Sequence, residues 1–150
     1  MPVAALSQHI LQGTTMVAIE LEYQGDLHAR AVHGPSGTEL NTDAPKDNQG
    51  RGESFSPTDL TATSLGSCML TTMGILARTL NLDMAGATAV VEKEMTSSGP
   101  RTIQRLTVRV HMPHALGAED QLKLERAAQT CPVARSLHPD VEQVMEFTWG

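Results

Sequence analysis

The sequence predicts an α+β fold, read as one domain spanning residues 1–150, and three observations carry that reading. The first third of the chain looks extended, rich in β-branched residues with partial alternation, and further strand-like runs follow at Ala85 to Thr96, Ile103 to Met112 and Val141 to Trp149. Between them lies an uncharged stretch, Leu60 to Ala77, that opens on a helix start signal. Strands and helices then follow one another with no internal repeat and no linker, the pattern of an α+β chain rather than of separate domains.

Thr14 to Tyr23 alternates partly and predicts a first strand, ending at the turn Gln24-Gly25-Asp26. Leu27 to Val32 completes a hairpin. Gly34-Pro35-Ser36-Gly37 is a second turn, and Thr38 to Thr42 a short third strand. Ala44 to Ser54 carries Pro45, Asn48, Gly50 and Gly52 and reads as a loop, of a length often tied to function. Ser56 then caps a helix, Pro57 suits its first position, and Asp59 stands where a capping box has its acid. Leu60, Leu65, Met69, Met73 and Leu76 share one face of that helix with Cys68 beside them, and the run ends near Leu80-Asn81. Gly66 and Gly74 each weaken the helix by about 1 kcal/mol relative to alanine, which implies close packing against another backbone. Ala85 to Thr96 is a fourth strand centred on Val90 and Val91, and Ile103 to Met112 a well-alternating fifth that Pro113 stops. Glu119 to Gln129 is a second helix with Leu122, Leu124, Ala127 and Ala128 inward. Cys131-Pro132 opens a short third helix to about Leu137, and Val141 to Trp149 is the last strand.

Composition narrows the function classes. Hydrophobic residues make up 40% and charged residues 19% of the 150 positions, enough to bury a real core. With Tyr23, Phe55, Phe147 and Trp149 as the aromatics, that core is expected to be aliphatic and methionine-rich. A net charge of −6 leaves no basic footprint for nucleic acid. Leu60 to Ala77 approaches the length of a membrane span. Eight of its 18 residues are Thr, Ser or Gly, however, and no positive flank precedes it, so a buried helix is expected and no membrane partner. Met1 to Leu11 lacks a basic start followed by an apolar run. Two cysteines without a secretory signal point to a reducing compartment, the cytoplasm.

The two cysteines carry the chemistry. Cys68 lies within Leu65-Gly66-Ser67-Cys68-Met69, about three turns inside its helix, and Cys131 opens Cys131-Pro132-Val133. They stand 63 positions apart, so only the fold can bring them together. If they meet, the chain is a two-thiol redox protein; if they do not, both are small apolar fillers. A helix N-terminus lowers a thiol pKa, so local sequence alone makes Cys131 the more acidic and Cys68 the more buried. The six histidines are scattered, without HExxH or paired CxxC, and no metal site is expected. Leu65-Gly66-Ser67-Cys68 lacks the GxSxG elbow of a serine hydrolase. Gly34 to Gly37 and Gly50-Arg51-Gly52 read as turns, not phosphate loops.

Phe55-Ser56-Pro57-Thr58-Asp59-Leu60, followed by Leu65-Gly66-Ser67-Cys68-Met69 and later by Cys131-Pro132-Val133, resembles the OsmC/Ohr family of hydroperoxide-reducing proteins. The resemblance extends over essentially the whole chain. It implies an intertwined homodimer in which antiparallel β-sheets wrap two long central helices. It also implies Cys68 as the peroxidatic residue and Cys131 as the resolving one, acting on organic hydroperoxides without a cofactor, with a lipoyl protein or another dithiol as reductant. Here the resemblance reverses the assignment that the local pKa argument favours.

The chain also departs from the family pattern. Well-characterised members place a Glu directly after the proline and use it to position an activating Arg. Here that place holds Thr58, and the acid comes one position later as Asp59, about 100° further round a helix. Arg30 and Arg51 are the candidates for the arginine. The departure leaves a second reading open, an OsmC-fold protein that binds a small apolar ligand with little peroxidase activity.

Overall fold

The computed structural model describes residues 16–150. The start of the expected first strand at Thr14 and the stretch Met1 to Leu11 lie outside the described residues. The chain divides between Ser56 and Pro57 into two compact units.

In the first unit, β1 (Ile19–Gly25), β2 (His28–His33) and β3 (Glu39–Asp43) form an antiparallel meander. The β1–β2 turn is made by Asp26 and Leu27, whose φ angles of 48° and 64° are both left-handed, one residue later than the sequence signals place it. Two positive φ values give a turn whose twist matches the flanking strands. Cross-strand pairs fix the register, with Arg30 opposite Asn41 and His28 opposite Asp43. Ile19, Leu21 and Tyr23 of β1 and Leu40 of β3 are exposed. A loop containing a 3₁₀ turn at Lys46–Asn48 follows β3. It closes on itself through Gly50 N–H to Pro45 O at 3.0 Å and Gly52 N–H to Ala44 O at 3.2 Å. A Cβ on Gly50 would lie 1.7 Å from Ala44 O, so this position accepts only glycine.

The second unit begins with α1 (Pro57–Leu80), which starts at its proline as expected. Its buried residues Ala62, Leu65, Gly66, Met69, Met73 and Ala77 recur at helical spacing and make one inward face. By length and composition α1 could cross a membrane, but this face packs into a core with Leu106, Val108, Met112 and Leu124. Among the described residues, the buried hydrophobic core consists of Ala, Val, Leu, Met and Cys, without an aromatic ring. The close approach implied by Gly66 is real: a Cβ there would meet Val91 Cγ2 at 2.7 Å. Its neighbour is a strand side chain rather than the backbone that the glycine was expected to meet. At Gly74 an added Cβ meets nothing within 4 Å, and Ile75 beside it is exposed.

β4 (Thr88–Met95), β5 (Ile103–Met112) and β6 (Glu142–Trp149) form the second sheet in that order. β4 and β5 are antiparallel, whereas β5 and β6 run parallel, with Arg105 opposite Glu142 and Met112 opposite Trp149. The expectation of antiparallel sheets is therefore corrected for this one, which is mixed. The cause is the connection: α2 (Ala118–Gln129) and α3 (Pro132–Ser136) lie between β5 and β6, and so long a crossover returns the chain in the same direction. On α2, Leu124 and Ala128 are buried but Leu122 is exposed, so the inward face is narrower than the sequence suggested. On its open face the sheet carries two rows of charge. Arg109 bridges Glu92 and Glu146 at 2.8 Å each, and Arg105 bridges Glu94 at 3.2 Å and Glu142 at 2.8 Å.

Candidate functional site

The fold brings Cys68 and Cys131 together, close enough that the neighbouring Cys68 acts on the Cys131 thiol. Cys68 projects from the middle of α1, half-buried and packed against the core cluster. Cys131 sits where α2 hands over to α3. There Pro132, in the first turn, supplies the helical φ and lacks the N–H that a helix start leaves unpaired. The backbone N–H of Ala134 donates to Cys131 Sγ at 3.5 Å, a weak cap. Both cysteines are free thiols.

Burial runs opposite to the local sequence argument, which had Cys68 as the more buried. Cys131 is 0% exposed and belongs to the core, while Cys68 retains access to solvent. Burial pushes the Cys131 thiol above its ordinary value, and the neighbouring Cys68 raises it further. The Ala134 and Val133 amides pull the other way and lose, since a five-residue helix offers few N–H groups and the thiol has left water. Cys131 is thus the more buried of the two cysteines, and its burial holds its thiol pKa up.

Thr58 and Asp59 are also brought together, by a residue the sequence reading did not single out. The Lys93 ammonium, on β4, donates to Thr58 Oγ1 at 2.7 Å and to Asp59 Oδ1 at 2.6 Å, with its side chain 14% exposed. Asp59 therefore holds a cation as well as standing in the acid-favouring first turn of α1. The strand's alternation could have revealed Lys93: Ala89, Val91, Lys93 and Met95 share the inward face of β4, an unusual place for a lysine. Asp59 and Cys68 are nine residues apart, which places them on roughly opposite faces of α1 and about 13 Å apart along its axis.

The two candidate arginines lie in the first unit and have acidic partners there. Arg30 holds Glu39 in a two-pronged pair, with Nε to Oε2 at 3.0 Å and Nη2 to Oε1, and this pairing lowers the Glu39 pKa. Arg51 is exposed and lies 3.7 Å from Asp26 and 3.8 Å from Glu53.

The profile of the family described as OsmC-like protein matches residues 50–144. A crystal structure from Psychrobacter arcticus 273-4, named as a suggested osmotic-stress-induced and detoxification-response protein, is 46% identical. The match covers 92% of this chain and 100% of that one, with a TM-score of 0.85. An organic hydroperoxide resistance protein from Legionella pneumophila shares the fold at 12% identity and a TM-score of 0.73, with 91% and 99% of the two chains covered. The organic hydroperoxide resistance protein OhrB of Bacillus subtilis does so at 15% identity and 0.67, with 89% and 98% covered. No curated protein matches the sequence. With the profile spanning more than half of the sequence and a 46% identical relative covered end to end, the chain belongs to the OsmC-like family.

Proposed function

We propose that this chain is a thiol peroxidase that reduces organic hydroperoxides, with Cys68 as the peroxidatic and Cys131 as the resolving cysteine. The observation that carries the reading is the thiol pair: a half-buried Cys68 beside a fully buried Cys131, far apart in sequence and brought together by the fold. The Cys68 thiolate attacks the distal oxygen of ROOH, the O–O bond breaks, and the alkoxide leaves as ROH after taking up a proton. Cys68 is then a sulfenic acid. Cys131 loses its proton and attacks that sulfur, water leaves, and a Cys68–Cys131 disulfide forms. Two electrons and two protons from an external dithiol restore both thiols.

The protein acts as a cytoplasmic homodimer in this reading. Support comes from apolar surface left uncovered in the single chain, including Ile75 on α1 and Ile19, Leu21 and Tyr23 on β1, which a second copy would bury. The organic hydroperoxide resistance proteins that share the fold point to the same substrate class. The uncharged α1 with its methionines suits apolar peroxides better than hydrogen peroxide.

The test is a count of free thiols on reduced protein before and after one equivalent of cumene hydroperoxide, with Cys68→Ser and Cys131→Ser in parallel. Loss of both thiols to an intramolecular disulfide, abolished by either substitution, is expected. Two thiols surviving excess peroxide would sink the proposal and leave a ligand-binding protein.

A further inference from the structure

No metal site is legible in the scattered histidines, yet the fold gathers three ligand-type side chains in the first unit. His28 opens β2 and pairs directly across the sheet with Asp43, the last residue of β3. The loop after β3 returns to the same spot: Glu53 N–H donates to Asp43 Oδ2 at 2.9 Å, and Asp43 N–H donates to Phe55 O at 3.1 Å. Asp43 is 0% exposed, and its second oxygen, Oδ1, meets no hydrogen-bond donor. A buried carboxylate oxygen that accepts no hydrogen bond is costly, and it faces the His28 ring at 3.5 Å, so the gap between them asks for a proton or a cation.

The space in front of Oδ1 has the dimensions of an ion site. His28 Nε2 lies 3.5 Å from Asp43 Oδ1 and 3.2 Å from Glu53 Oε2, and the donor atoms all fall within 4.8 Å of one another. Donors held at about 2.0–2.1 Å around a tetrahedral zinc-type ion stand about 3.4 Å apart. The imidazole is oriented for this task. Its Nδ1 lies 2.8 Å from the carbonyl oxygen of Asp26, which can only accept, so Nδ1 carries the proton and Nε2 faces the carboxylates. Arg51 approaches the other Glu53 oxygen, Oε1, at 3.8 Å and leaves Oε2 toward His28. The competing occupant is a proton on Nε2, which would turn the cluster into an ion pair.

We propose that His28 Nε2, Asp43 Oδ1 and Glu53 Oε2 bind one divalent transition-metal cation of the zinc type, with water completing the shell. Two carboxylates balance the dication, and an imidazole nitrogen beside them favours zinc, cobalt or nickel over calcium or magnesium. The ion would clip the 44–54 loop to the sheet, with Glu53 from the loop's end and His28 and Asp43 from the strands.

The experiment uses the full chain with both cysteines replaced by serine, so that thiols cannot ligate. It is stripped with EDTA and titrated with Zn(II) by calorimetry and with Co(II) by visible absorption. One ion per chain is expected, with a cobalt spectrum of low coordination number. Binding should weaken by roughly tenfold or more in His28→Gln and in Glu53→Gln, since losing a ligand costs no less than losing an outer-shell partner. Asp43→Asn should do the same, and the first two variants carry the test if that change unfolds the loop. Absence of binding, or affinity unchanged in His28→Gln and Glu53→Gln, would overturn the assignment and leave a protonated histidine between two carboxylates.

Discussion

Replacing Gly66 by alanine tests how α1 is seated on β4. Two effects oppose each other. Alanine is worth about 1 kcal/mol over glycine inside a helix. The added Cβ, however, would lie 2.7 Å from Val91 Cγ2. Carbon atoms pack at about 3.5–4.0 Å, so helix and strand must separate by about 1 Å or Val91 must leave its rotamer. Val91 is β-branched and packed against the core, which makes that rotamer hard to change. Overpacking of this kind costs about 1–3 kcal/mol, so steric cost outweighs propensity and Gly66→Ala should destabilise by up to about 2 kcal/mol. Gly74→Ala, with nothing within 4 Å of its Cβ, isolates the propensity effect in the same helix. Urea unfolding at fixed protein concentration gives both values. Combining Gly66→Ala with Val91→Ala should recover about 1–2 kcal/mol relative to the sum of the single changes, a coupling expected of residues in contact. The reasoning fails if Gly66→Ala stabilises the protein by the full propensity gain, or if the double variant shows no coupling.

Two further outcomes follow from the site. Alkylation of the native, reduced protein followed by mass spectrometry should label Cys68 well before Cys131. Because folding raises the Cys131 pKa, its contribution to stability is complete below the ordinary thiol value of about 8.5 and is lost as pH rises through the higher folded value. Labelling of Cys131 should therefore accelerate, and the fold weaken, only in alkaline solution. Lys93→Ala removes bonds to Thr58 and Asp59 and should cost about 1–2 kcal/mol in urea unfolding. Since Asp59 faces away from Cys68, stopped-flow loss of the Cys68 thiol with cumene hydroperoxide should change by less than about twofold. A larger loss of rate would mean that Lys93 reaches the reaction after all.

Most elements were legible because their signals are local. The alternation from Ile103 to Met112 delimits β5, and Pro57 and the apolar periodicity delimit α1. What sequence could not supply depends on pairs distant in the chain. The parallel pairing of β5 with β6 depends on where the crossover helices return the chain. The raised pKa of the Cys131 thiol is set by burial, which the local helix-start rule ignores. Lys93 was missed because the β4 reading rested on Val90 and Val91 and not on the phase of the alternation. His28, Asp43 and Glu53 lie far enough apart in sequence that it takes the strand register, for the first two, and the return of the 44–54 loop, for the third, to bring them together. Leu122 shows the opposite error: an apolar residue counted as inward that the structure leaves in solvent.

The acid–arginine–acid rows on the second sheet bear on its outer strands. β4 and β6 flank β5, and the rows end on Glu92 and Glu94 at one side and on Glu142 and Glu146 at the other. Each row holds two carboxylates and one guanidinium, so both margins of the sheet end in negative charge. The β4 or β6 strand of a second copy sliding in beside β4 or β6 would bring carboxylates against carboxylates, and like charges facing each other across strands are unfavourable. Sheet margins left bare are where chains join into aggregates. Here the arginines stay on the central strand, where they hold the sheet together, and the acids guard its borders against continuation.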